Sequence, residues 1–222
     1  MIFARTVLAM MLASAAAAGC PIAAAQSADV VGVYDGGQTE MAVGIELHAD
    51  GRFLYGMSYG ALDEQAQGTW TSDGSQVLLT SDPVVPPRFV LTDLRDAPAG
   101  QIKLLLDLPE GMSRQYFNAE FRLPDGSVID RQLSDEPEPL EFDARAMPVS
   151  VTLRLPVFDL RGETIALPPP MGHEIHVRFE PHDLGVVAFA RTPLRRDHGD
   201  LILQRYDRTI RFRRVAAAES PR

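Results

Sequence analysis

After residue 25 the chain carries no sustained helical period; short β-favouring runs follow one another, separated by turn residues. Three Asp-Gly pairs, Asp50-Gly51, Asp73-Gly74 and Asp125-Gly126, stand between such runs. Asp-Gly accepts the positive φ that a tight hairpin demands, so each pair marks a turn with a mechanism. A chain built this way buries its apolar side chains by closing sheets on themselves or on each other, which predicts an all-β protein made of barrel or sandwich.

The first block reads as an antiparallel meander with strands at Val30–Tyr34, Met41–His48, Arg52–Tyr59, Gly68–Thr71 and Gln76–Ser81. In the second of these, Val43, Ile45 and Leu47 share one face while Glu46 and His48 share the other, the alternation of a half-buried strand. Two proline clusters, Pro83/Pro86/Pro87 and Pro168-Pro169-Pro170, bracket a middle segment. Proline cannot donate to a ladder, so both clusters read as boundaries. Between them lie strand-like runs at Phe89–Leu94, Gln101–Leu106, Arg114–Leu123, Ser127–Leu133 and Val149–Leu155, the content of a small β-sandwich. Alternation returns at Glu174–Glu180, where Ile175, Val177 and Phe179 share a face, and continues at Gly185–Ala190, Leu201–Tyr206 and Thr209–Val215.

Five N-terminal strands alone leave exposed edges, and the last strands have no other evident partner. The expected architecture is therefore an antiparallel barrel whose first part spans residues 26–86 and which is closed by residues 171–222. A sandwich-like segment over residues 87–170 interrupts it, and the plainer alternative is two consecutive domains split near residue 87.

Residues 1–25 have the layout of a secretory signal: Arg5, an apolar run from Val7 to Ala18, then Ala23-Ala24-Ala25 before Gln26. Cleavage there predicts a periplasmic or secreted protein. It also removes Cys20, the one cysteine of the chain, leaving no thiol for a disulfide, a nucleophile or a metal site. In the alternative, Ala17-Ala18-Gly19-Cys20 resembles a bacterial lipobox with alanine in place of leucine, and Cys20 becomes the lipid-bearing first residue. Membrane contact is expected in that case alone. The net charge is −9, and −10 once the leader takes Arg5 away, which makes the protein a poor partner for nucleic acid.

The succession Gly32-Val33-Tyr34, Gly44-Ile45-Glu46-Leu47, Asp50-Gly51-Arg52-Phe53, Gly68-Thr69-Trp70 and Leu78-Leu79-Thr80-Ser81 resembles small lipocalin-like barrels of the bacterial envelope, such as the copper-resistance and envelope-stress lipoproteins. The resemblance covers residues 32–81 and implies a lipocalin-like barrel. Those lipoproteins carry an early Cys-x-x-Cys pair that this chain lacks, so it implies no copper or redox role here. The middle segment loosely resembles transthyretin-like or carboxypeptidase-regulatory sandwiches. The whole arrangement, with His182-Asp183-Leu184-Gly185 and the arginine-rich end, is similar to uncharacterised exported proteins of proteobacteria.

Gly56-Met57-Ser58-Tyr59-Gly60 matches the G-x-S-x-G pattern of hydrolases, which requires a strand, a strained turn bearing the serine, and a helix. Here Ala61–Gln67 leaves no room for that helix before the next strand, and a glycine-kinked barrel strand is the better account. His173, His176 and His182 are the candidate metal ligands, but strand alternation sets His173 and His176 on opposite faces, and Arg178 shares the face of His176. An exposed polar face is the expected reading. Asp63 and Glu64 are expected in a solvated loop and make no acid/base pair.

Eight arginines from Arg191 to Arg214 and seven acids from Asp125 to Asp143 describe solvated faces, two regions that pair with each other, or a basic face for lipid phosphates or an acidic partner. No P-loop, dinucleotide fingerprint or Ser-x-x-Lys pattern occurs, and no cofactor is indicated. The sequence thus points to a non-enzymatic envelope protein that binds a small or apolar ligand or an envelope partner. A ligand site is expected at inward aromatics, Tyr34, Phe53, Tyr55 and Trp70. The alternatives are a structural or interaction module with a filled barrel, and a serine hydrolase using Ser58.

Overall fold

The structure, a computed structural model, describes residues 28–168 and 171–216. The leader and Cys20 lie outside the described residues. Sixteen strands form a closed eight-stranded barrel and two four-stranded sheets. Strands β1 (Gly32–Asp35), β2 (Met41–Leu47), β3 (Arg52–Tyr59), β4 (Leu62–Ser72) and β5 (Gln76–Ser81) make the meander. Strands β14 (Ala190–Asp197), β15 (Asp200–Arg205) and β16 (Arg208–Arg214) complete the ring, in the order β1-β16-β15-β14-β5-β4-β3-β2. Every pairing in that ring is antiparallel.

Period-2 alternation decides what fills the ring. Met41, Val43, Ile45 and Leu47 of β2 point inward, as do Phe53, Tyr55 and Met57 of β3. Trp70, Leu79, Leu203 and Phe212 meet them from other strands. An eight-stranded barrel is just wide enough for its side chains to fill, and both ends are stoppered. At one end the turn Ala28–Val30 closes over Tyr34, whose hydroxyl donates to the Val30 carbonyl at 2.7 Å. Arg214 donates to the backbone carbonyls of Asp29 and Val31, and Arg196 pairs with the Asp29 carboxylate. At the other end Val187 and Phe189, from the chain entering β14, pack into the same core, with the Phe189 ring 5.2 Å from that of Tyr55 and 6.0 Å from that of Phe53.

Between β5 and β14 the chain leaves the barrel and builds the sandwich. One sheet holds β6 (Arg88–Ala97), β7 (Gln101–Asp107), β10 (Leu140–Glu141) and β13 (Gly172–Glu180) in the order β10-β7-β13-β6. The other holds β8 (Asn118–Arg122), β9 (Val128–Gln132), β11 (Ser150–Leu155) and β12 (Leu160–Ala166) in the order β12-β11-β8-β9. Both contribute to a second core around Phe117, Phe121, Val151, Leu153, Ile175 and Phe179. The sandwich is thus an insertion in the barrel. Its two connectors are tied together by Val85 N donating to Asp183 Oδ2 at 2.7 Å and Asp183 N donating to the Val85 carbonyl at 3.1 Å.

Several boundaries differ from the sequence expectation. Strand β13 lies past the second proline cluster, yet it belongs to the sandwich and not to the barrel-closing group that was to start at residue 171. Its apolar face of Ile175, Val177 and Phe179 fits the second core, between antiparallel β6 and parallel β7. The return to the barrel comes only after Pro181–Phe189. Gly185–Ala190 is not a strand of its own; its Gln65–Val186 bridge stitches it to β4, and β14 begins where it ends. Strand β4 starts at Leu62, which puts Asp63 and Glu64 on a strand and not in a loop. Strand β12, with Arg161, Gly162, Glu163 and Thr164 at its centre, has too little apolar alternation to be read from sequence.

Candidate cleft at the barrel mouth

The Asp63-Glu64 pair divides across the wall of the barrel because neighbouring strand residues face opposite ways. Asp63 points outward and accepts a hydrogen bond from Ser58 Oγ at 2.6 Å, its cross-strand partner. Glu64 points inward, its side chain 8% exposed, and meets Arg205 from β15. Arg205 Nη2 donates to Oε1 at 2.7 Å and Nε to Oε2 at 3.3 Å, and the Tyr206 hydroxyl donates to the same carboxylate. Burial works against the charge on Arg205, but the Glu64 carboxylate outweighs it and holds that guanidinium above its ordinary pKa. The guanidinium lies 4.4 Å from the Tyr206 ring centroid and 5.7 Å from that of Phe189. Burial and the hydrogen bond to Glu64 push the Tyr206 phenol up to about 12.

Tyr206 and Asp207, with φ of 53° and 55°, form the turn between β15 and β16. Two non-glycine residues in the left-handed region are strained, and the bond from Tyr206 to Glu64 helps hold the turn. Tyr55 lies beside this cluster, and burial, then the Glu64 charge, push its phenol well above the ordinary tyrosine value. Its hydroxyl is buried with no hydrogen-bond partner among the described residues.

Next to the cluster an open cleft of 1340 Å³ runs over the rim and outer wall of β2, β3 and β4. Asp35, Glu40, Asp63 and Glu64 line it, and among the described residues no lysine, arginine or histidine does. Its floor holds Gly44 and Gly56, which face each other across the β2–β3 ladder. Of the aromatic ligand candidates, Tyr55 lines this cleft; Tyr34, Phe53 and Trp70 are at most 1% exposed and are core residues. The Trp70 indole N–H is spent on the His48 carbonyl at 3.0 Å.

Ser58 sits on a strand that turns into β4 with no following helix, and each histidine finds its partner within five residues in sequence, never Ser58. His176 Nε2 is 2.7 Å from Glu174 and His182 Nε2 is 3.3 Å from Glu180. His173 is buried against the Pro168 carbonyl at 2.9 Å, so the three candidate ligands do not converge. Among the described residues no group of three metal-ligating side chains forms.

The arginine-rich end is partly used internally: Arg196 on Asp29, Arg205 on Glu64, Arg211 on Asp197 and Asp200. Arg191, Arg195 and Arg213 stay exposed on the outer wall with no ion-pair partner among the described residues. Among the described residues no ion pair joins this region to the acidic stretch Asp125–Asp143. Sequence reasoning missed Arg205 and Tyr206 as site residues; the one local signal was a Tyr-Asp pair in a hairpin position that favours Asn-Gly. Comparison with protein-family models, with curated proteins and with solved structures finds no match.

Proposed function

We propose that this is an exported, non-enzymatic envelope protein, lipocalin-like in its barrel, that acts as an interaction module through its outer surface. The observation that carries this reading is the filled barrel. Tyr34, Phe53, Trp70 and Phe212 occupy its centre and each is at most 1% exposed, so an apolar ligand has no interior to enter. Catalysis finds no support at Ser58, whose one side-chain partner among the described residues is the Asp63 carboxylate. The leader-like layout of residues 1–25 supports export, with cleavage before Gln26 or anchoring at Cys20 as its two forms.

The test is site-specific photo-crosslinking in the cells that export the protein. A photoreactive residue replaces Leu54 on the barrel wall or Val128 on the sandwich, 46% and 45% exposed respectively. The expected result is one discrete envelope adduct from at least one position. Adducts from neither position, together with quenching of Trp70 by an added apolar ligand, would return the role to ligand storage.

A further inference from the structure

The sandwich ends in four edge strands, β6 and β10 of one sheet and β9 and β12 of the other. A bare edge presents a row of unpaired N–H and C=O groups, and folded proteins block such rows. Three of the four edges are blocked. On β6 the Leu94 N–H is taken by the Asp93 carboxylate at 2.9 Å, and the ladder to β13 shifts register at His176/Val177. The two-residue β10 covers Gln101 and Ile102 of β7, and beyond it Arg114 Nη2 caps the Leu104 carbonyl at 3.1 Å. On β12 the register shifts between Thr152 and Arg154, and Gly162 lies so close to β6 that a Cβ would stand 2.7 Å from the Phe89 ring.

Strand β9 has no such block. It keeps one register with β8, from the Asn118–Gln132 pair to the Arg122–Val128 pair. Leu133 N donates to the Phe117 carbonyl at 2.9 Å and Leu123 N to the Ser127 carbonyl at 2.8 Å. The odd-numbered residues therefore bond to β8, and Val128, Asp130 and Gln132 turn their N–H and C=O groups to the open side. Beneath that row an open groove of 450 Å³ runs between β9 and β10. Ile129, Leu140 and Phe142 line it, half-buried and packed on the margin of the second core. Arg131, opposite Ala119 on the inner face, lines the groove with no ion-pair partner among the described residues; Glu141 and Asp143 line it outside ion-pairing distance.

We infer that β9 accepts an added strand: an extended segment of an envelope partner pairs its backbone with Val128, Asp130 and Gln132, sets an apolar side chain opposite Ile129 over the groove, and sets an acidic one opposite Arg131. This rests on the surface-interaction reading above and names the chemistry of the partner. A row of alternating donors and acceptors recognises extended polypeptide, not lipid or a small ligand. A charge pointing inward at an edge rejects a wholly apolar strand, and an acid opposite it turns that guard into selection. A second copy fits poorly, because a two-fold axis through the centre of β9 sets one Asp130 against the other.

The probe is a fluorescent peptide, Val-Thr-Glu-Lys-Val-Thr-Val, written to run antiparallel to β9 with its glutamate opposite Arg131 and its lysine opposite Asp130. It is titrated with the purified chain and followed by anisotropy. Methyl groups on the threonine and lysine nitrogens, which face the open row, are expected to weaken binding at least about tenfold. Methyl groups on the glutamate and central valine nitrogens, which face away, are expected to leave it unchanged. Lysine in place of the glutamate is expected to weaken it several-fold. Asp130→Pro removes an N–H that β8 does not use, so the sandwich keeps its ladder while the edge is closed to the peptide. In exporting cells the same substitution is expected to abolish the adduct from a photoreactive residue at Val128.

Binding indifferent to which nitrogens are methylated overturns strand addition, and this comparison stands even if Asp130→Pro fails to fold. Binding indifferent to the glutamate-to-lysine change overturns the assigned chemistry of the partner. A Val128 adduct of the chain with itself makes a second copy the occupant and overturns the partner. A discrete adduct from Leu54 combined with no peptide binding rejects this inference alone; adducts from neither position reject the interaction role itself.

Discussion

Glu64 and Arg205, 141 residues apart in sequence, pair across the mouth of the barrel from strands β4 and β15, which share no ladder. The bond is a tie across the bore, and it also anchors the strained Tyr206 turn. Glu64→Gln leaves a half-buried guanidinium without its carboxylate, and it is expected to cost about 2–4 kcal/mol in urea unfolding. Glu64→Leu combined with Arg205→Met removes both charges and is expected to recover most of that loss. A double variant no more stable than the single would show that the site depends on the ion pair itself.

Acid should unfold the protein through particular carboxylates. Glu180 is lowered from 4.5 to about 2 by its bonds to Arg88 at 2.6 Å and to Arg178 at 2.9 Å. Asp73 is lowered from 3.8 to about 2, first by the Ser75 hydroxyl and then by the backbone N–H groups of Gln76 and Ser75. Both pKa values are depressed in the folded state, so their stabilisation is complete above the unfolded values and is lost as pH falls through the folded ones. The urea midpoint is therefore expected to fall between pH 4.5 and 2, and less steeply in Glu180→Gln. An identical slope in that variant would remove Glu180 from the account.

The core makes Trp70 a reporter of unfolding and not of binding. Emission from this lone tryptophan is expected to be blue-shifted and resistant to iodide until the barrel unfolds. Phe212→Ala opens a cavity beneath Gly36, where a Cβ would already stand 2.9 Å from the Phe212 ring. The expected cost is about 3–5 kcal/mol by chemical denaturation.

Two glycines of the barrel should respond in opposite ways to alanine. At Gly68 a Cβ would stand 2.1 Å from the Thr80 carbonyl oxygen and 2.7 Å from the Ser81 Cα, both backbone atoms that cannot step aside. Gly68→Ala is expected to destabilise by more than about 3 kcal/mol or to prevent folding. Gly56→Ala meets nothing and is expected to be neutral or stabilising by a few tenths of a kcal/mol. Parallel thermal melts of the two variants decide this.

The turns and the inward aromatics were legible because both are local. Gly51, Gly74 and Gly126 take φ of 82°, 91° and 85°, as the Asp-Gly pairs require, and the alternation of β2 matches its burial residue by residue. What escaped depends on contacts distant in sequence. Nothing around Ile175 says which of two cores its face will join; that is settled by the fit of β13 between β6 and β7. Proline inside a run disfavours a strand, yet Pro193 sits within β14. Glu64 reads as one more surface acid until the closure of the ring places Arg205 opposite it. The cleft carries no sequence signature either, since its floor is made by residues that have no side chain to notice.

The insertion between β5 and β14 imposes an order in time. Strands β1 to β5 leave the ribosome, and any translocation pore, before the whole sandwich, and their partners β14 to β16 come last. Until then the N-terminal meander has bare hydrogen-bonding rows on both β1 and β5, the two strands that β16 and β14 later cover. The sandwich consists of one continuous stretch and can assemble in that interval, whereas the barrel waits for the final residues of the ring. The unfinished chain is therefore most vulnerable to mispairing in its first five strands, and a truncation before β14 removes the closure of the barrel while leaving every strand of the sandwich in place.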